Sequence, residues 1–201
     1  MVEKAKKDSF LTFEKCLSFN FTKFTFDLIT NLMPSTEYKT ELIAKITAFL
    51  SSIGIENEER TLDTQTFLPG VHIENGKLLY DLEQLKYPGD LLHEAGHIAL
   101  TPSENRDKIG GNMDNNGQAK QNSLEIGVIC WSYAALKHLE LDPIIVFHEE
   151  GYKGQSQWHI QNYESGNYTG LPLLQWMQLC KQFDDTSDML PFPHMVKWLR
   201  D

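Results

Sequence analysis

The chain is poor in cysteine, poor in basic residues relative to acidic ones, and without a long apolar run. Its three cysteines, Cys16, Cys130 and Cys180, are odd in number and widely spaced. That excludes a disulfide framework and a zinc knuckle, and suits reduced thiols packed in a cytoplasmic protein. Lys and Arg number 18 against 28 Asp and Glu, a net charge of −10. Such a surface repels phosphates, so nucleic acid is not an expected partner. No apolar run reaches the length of a membrane span, and no membrane association is expected. Lys4, Lys6 and Lys7 are followed by Asp8 and Glu14 rather than an apolar core, so the start reads as neither a signal nor a transit peptide. Repeats and low-complexity tracts are absent too.

What is present suffices for a globular core. The apolar fraction is 41% of 201 residues, which fits one domain spanning 1–201, with 1–34 readable as an N-terminal extension. Residues 9–32 carry Phe10, Phe13, Leu17, Phe21, Phe24, Leu28 and Leu32 at helical spacing, while Phe19/Phe21 and Phe24/Phe26 also alternate like strands; helix is the preferred reading. Pro34 and Ser35-Thr36-Glu37 open a clearer helix, with Leu42, Ile43, Ile46, Phe49, Leu50 and Ile53 as its stripe and Gly54 as its stop. Residues 56–66 are polar. Val71-His72-Ile73 and Leu78-Leu79-Tyr80 flank Asn75-Gly76, the strongest short signal for a hairpin.

The chain is organised around Tyr87-Pro-Gly-Asp-Leu-Leu-His93-Glu94-Ala-Gly-His97-Ile-Ala-Leu-Thr-Pro102. Asp90 is the expected N-cap and Pro102 the stop. His93 and His97 stand one turn apart, so both imidazoles leave one face and can bind a single metal ion. Glu94 points about 100° round from His93, beside such an ion without ligating it. Two imidazole ligands and a general base are what a zinc hydrolase needs. Leu91, Leu92, Ile98, Ala99 and Leu100 mark the helix for burial, where unpartnered polar groups are costly. Gly96, a poor helix former, points to a close approach by another backbone or a substrate.

The segment His93-Glu94-Ala95-Gly96-His97 resembles the active-site helix of the zincin metallopeptidases. The resemblance implies that His93 and His97 bind Zn2+, that Glu94 is general base, and that a third ligand comes from downstream. It also implies that a strand just before the helix lies along the cleft and pairs with substrate, a place the hairpin could fill.

Downstream, residues 103–118 read as a polar, Gly/Asn-rich surface loop, a candidate lid. A helix is expected from Lys120 to Leu139, with Glu125, Val128, Ile129, Ser132, Ala135, Leu136 and Leu139 on one stripe. Glu125 on an apolar face needs a compensating charge, which a metal on His93 and His97 would supply. The order resembles that of gluzincin-like zincins, although no Asn precedes Glu125 and no Ser-Asp follows it. A third His six residues after His97 is ruled out by Ser103. His148, after Ile144-Ile-Val-Phe147, is the rival third ligand; otherwise His148 or Tyr152 could steady the oxyanion of a tetrahedral intermediate. The rest reads as helices at Gln155–Glu164, Pro172–Phe183 and Pro191–Leu199.

The expectation is an α+β protein, a small antiparallel sheet packed on a mostly helical, zincin-like body. Its expected activity is that of a cytoplasmic zinc metallopeptidase acting on a peptide or small amide. The competing expectation is a non-catalytic zincin-like protein that binds metal or a partner.

Overall fold

The computed structural model describes residues 35–63, 66–110, 115–183 and 185–201; the Phe-rich stretch at 9–32 lies outside them. The chain divides into two compact units, Met1–Leu42 and Ile43–Asp201. Everything reported below from Ile43 onward belongs to the second. The fold is α+β. Among the described residues, no helix is long and apolar enough to cross a membrane.

Helix α1, Ser35–Ser52, carries the expected stripe, with Ile43, Ile46, Phe49 and Leu50 buried. It ends where Gly54 takes φ +88°. There Ile55 N–H donates to Leu50 O at 2.9 Å and Gly54 N–H to Ser51 O at 3.1 Å, closing its last carbonyls. The sheet has three strands: β1 (Asn57–Glu59), β2 (Val71–Glu74) and β3 (Lys77–Tyr80), in the order β1-β3-β2. The hairpin β2–β3 is antiparallel with Val71 opposite Tyr80 and Glu74 opposite Lys77. Asn75 and Gly76, at φ 51° and 76°, make the left-handed turn between them.

The third strand corrects the reading of 56–66 as merely polar. β1 runs parallel to β3, pairing Asn57 with Leu78 and Glu59 with Tyr80. Its sequence Asn-Glu-Glu has no alternation to betray it. Its side chains join surface ion pairs instead, with Glu58 against Arg60 and Lys77, and Arg60 also against Glu74.

Helix α2, Asp90–Leu100, is the motif helix, and nine of its eleven residues are buried. It packs on β2 and β3 and, most extensively, on helix α3, Asn115–His138. The two helices are antiparallel. A Cβ on Gly96 would stand 2.9 Å from Val128 Cγ1, while Ser132 Oγ donates to Leu92 O at 3.2 Å. Gly96 thus answers to a neighbouring helix. Gly127 does the same on α3, where a Cβ would meet Leu173 and Leu100.

Several boundaries differ from expectation. Gly89, in helical conformation, precedes α2, and no side chain caps it; Asp90 is the first helical residue and its carboxylate is used elsewhere. Ser103–Lys108 is a 3-10 turn, not an open loop. Helix α4 covers Ser156–Glu164. The helix expected over 172–183 is only Leu171–Trp176, here α5, because Gln178 turns left-handed at φ 57° and Leu179 N–H closes back on Leu174 O. Trp176, the last residue of α5, is 68% exposed. No helix forms at 191–199. That run is extended and bent, with Cys180 bridging Met195 and Val196 N–H donating to Leu179 O.

The C-terminal run closes the core. Trp198 lies edge-on to Phe49 and Trp131, and its carbonyl accepts from Trp131 Nε1–H at 3.0 Å. Arg200 N–H then donates to Ala99 O at 2.9 Å, and Arg106 donates to the carbonyl of Arg200, tying the run to the end of α2.

Candidate metal centre

His93 and His97 leave one face of α2, their ring centroids 5.2 Å apart. On α3, Glu125 sits on the same face as Val128 and Ser132, the residues that meet α2. The helix pairing therefore carries its carboxylate over the imidazoles. Glu125 Oε1 is 3.2 Å from His93 Nε2, and Oε2 is 3.5 Å from His97 Nε2. In a tetrahedral zinc site with bonds of about 2.1 Å, neighbouring donor atoms lie about 3.4 Å apart. The two imidazole–carboxylate distances are close to that spacing, so His93, His97 and Glu125 suit such an ion in donor type and in the separation of Glu125 from each ring. Glu94 adjoins them, one donor atom each from His93, Glu94 and His97 lying within 4.8 Å of one another.

Exposure shows where the group opens. The imidazoles of His93 and His97 retain only 14% and 10% of their accessible surface, whereas the Glu125 side chain keeps 41%. Access is from the Glu125 side.

The electrostatics follow from burial and crowding. Burial pushes the Glu94 carboxyl up; the His93 charge opposes this, Glu125 and Asp90 reinforce it, and it rests at about 7. Burial also works against a charged His93. Its hydrogen bond to Glu125 and the nearby carboxylates of Glu94, Glu125 and Asp90 outweigh this and raise its pKa. His97 goes the other way, to about 4, through burial and the neighbouring His93 charge. For Glu125, burial raises the pKa, but the bond to His93 and the charges of both histidines bring it below the ordinary value.

Tyr152 lies beside the group, its Oη 3.4 Å from His93 Nδ1. His148 does not join the ring of ligand atoms. Its Nε2 is 3.1 Å from Asp90 Oδ1, and its ring stacks on Tyr87 at 3.7 Å between centroids. Of the residues picked from sequence, His93, Glu94, His97, Glu125 and Tyr152 are brought together; His148 stands one step outside. Asp90 was missed as a site residue because it read as a helix cap. Its position three residues before His93, hence on the same helix face, is the signal that could have found it.

Comparison of the chain with protein-family models, with curated proteins and with solved structures finds no match.

Proposed function

We propose that the protein is a metal-dependent amide hydrolase, most simply a zinc metallopeptidase acting on a peptide or small amide bond. One observation carries this reading. The two Nε2 atoms of a His-Glu-x-x-His helix converge on the two oxygens of Glu125 at 3.2 and 3.5 Å, with Glu94 adjoining. His93, His97 and Glu125 would hold the metal. When bound, zinc supplies a Lewis acid that polarises a carbonyl and acidifies water. Glu94 accepts a proton from the attacking water on its carboxylate and returns it to the leaving amine.

A second reading, a metal-binding protein without turnover, has the low exposure of both imidazoles in its favour. Two variants separate the readings. Protein purified without a His tag should carry about one zinc per chain by mass spectrometry, and Glu125→Ala should lose it. Glu94→Gln should keep the metal and lose all cleavage of a peptide library. Wild type that retains zinc and cleaves nothing would favour the second reading. A folded wild type that takes up no zinc, or an active Glu94→Gln, would overturn the hydrolase.

A further inference from the structure

The segment after Phe147 has an unusual backbone. Tyr152, Lys153 and Gly154 take φ of 54°, 53° and 76° in succession, a left-handed turn in which two residues carry side chains. Residues with a Cβ normally visit this region singly, because the Cβ crowds the following carbonyl oxygen there. A run of them persists only where the surroundings over-determine it.

The surroundings do so here. His148 and Asp90 are both buried, and the His148 Nε2–H donates to Asp90 Oδ1 at 3.1 Å. Tyr87 covers one face of the His148 ring, and Gly151 is pressed so close that a Cβ there would lie 3.0 Å from His148 Cε1. Ser156 Oγ donates to His148 O at 2.5 Å, closing the loop 148–156 on itself. Gly89 admits the preceding turn more closely still, since a Cβ would lie 1.9 Å from Ile145 O. The Tyr152 ring is wedged between Phe147 and His159, at 5.2 and 5.1 Å between centroids. The loop meets α2 twice along one face: His148 on Asp90, and Tyr152 Oη on His93 Nδ1 at 3.4 Å.

We infer that Tyr152 is a positioning residue for His93, held there by the buried His148–Asp90 clasp, and that neither His148 nor Tyr152 is a donor to the reacting oxygen. The inference rests on the metal-site reading above. An imidazole that gives its Nε2 lone pair to a metal carries its proton on Nδ1, and that proton needs an acceptor which fixes both tautomer and ring angle. Tyr152 Oη is placed to accept it. His148 is turned away from the site, its Nε2 committed to Asp90. Its Nδ1 and the second oxygen of Asp90 are buried and find no hydrogen-bond partner among the described residues, so the bond between the two side chains is the contact that fixes the pair.

The test measures metal affinity rather than turnover. Zinc is titrated against a chromophoric chelator, and the visible bands of the cobalt-loaded protein are recorded. Tyr152→Phe keeps the ring and removes the acceptor. It should weaken zinc about 10- to 100-fold and shift the cobalt bands, as loss of an outer partner does. Tyr163→Phe, which removes a buried hydroxyl bonded to Thr169 O away from the site, should change neither. His148→Ala should weaken zinc several-fold. His148→Gln, whose amide can again donate to Asp90, should recover part of the loss, and this pair decides the matter if Tyr152→Phe does not fold. Wild-type affinity with unshifted bands in Tyr152→Phe, or no recovery in His148→Gln, would overturn the inference alone. Absence of zinc and cobalt uptake by wild type would overturn it together with the metal-site reading.

Discussion

At the residue scale the site depends on one missing side chain as much as on those present. Gly96 sits between the two histidines, and a Cβ there would press on Val128 Cγ1 at 2.9 Å and Val128 O at 3.4 Å. Alanine is the better helix former by about 1 kcal/mol, yet forcing a methyl into a packed helix pair costs about 1–3 kcal/mol. Because the 2.9 Å contact is to a methyl of fully buried, β-branched Val128, whose rotamer is restricted in a helix, the clash should win. Gly96→Ala is expected to lower the melting temperature and, by pushing α3 outward, to weaken zinc binding through Glu125. A variant more stable than wild type with unchanged metal affinity would show that the helices have room to spare. The same residue illustrates what was legible. The two histidines and Glu94 follow from helical periodicity alone, because their relation is local. Glu125 was legible through its anomaly, a carboxylate on an apolar stripe. The partner of His148 was not, because nothing in the chemistry of one residue names another 58 positions away.

Among the elements, those with local signals were readable and those held by tertiary pairing were not. The Asn75-Gly76 hairpin and the ends of α1 and α2 carry their own turn residues. β1 has only polar side chains and exists because β3 offers it an edge. α5 stops early at Gln178, which bears no glycine-like signature, since buried Leu179 and Cys180 pair with the C-terminal run. One short connection is fixed by a single carboxylate. Asp81 accepts from Leu62 N–H at 2.9 Å, Glu83 N–H at 3.0 Å, Gln84 N–H at 3.2 Å and Gln84 Nε2 at 2.8 Å, bracing the turn between the hairpin and α2. The bond from Leu62 is the main reason its pKa lies below the ordinary 3.8; burial opposes it and the Gln84 and Glu83 bonds add to it. A lowered native value means that the contribution is fully present above the unfolded value and fades as pH falls through the native one. Asp81→Asn should therefore melt earlier at neutral pH and show a shallower loss of stability below about pH 4, where wild type is itself losing this contribution. Equal acid sensitivity in both proteins would count against this role for the carboxylate.

For the second unit as a whole, the C-terminal run acts as a strap across helices far apart in sequence. Trp198 packs against Phe49 on α1 and Trp131 and His138 on α3, and Arg200 closes on α2. Trp198→Ala should cost about 2 kcal/mol for a half-buried indole and its edge-on partners, roughly 4–8 °C in melting temperature for a chain of this size. A melting curve indistinguishable from wild type would mean that the strap follows the core rather than holding it. The candidate centre is independent of that strap in its make-up. His93, Glu94, His97 and Glu125 all belong to one helical hairpin, α2 and α3, so the contacts that assemble the donor set are near neighbours in the chain. Closing so short a span costs little entropy. None of the four groups is contributed by the sheet or by the last residues, so the set itself spans only the helical hairpin.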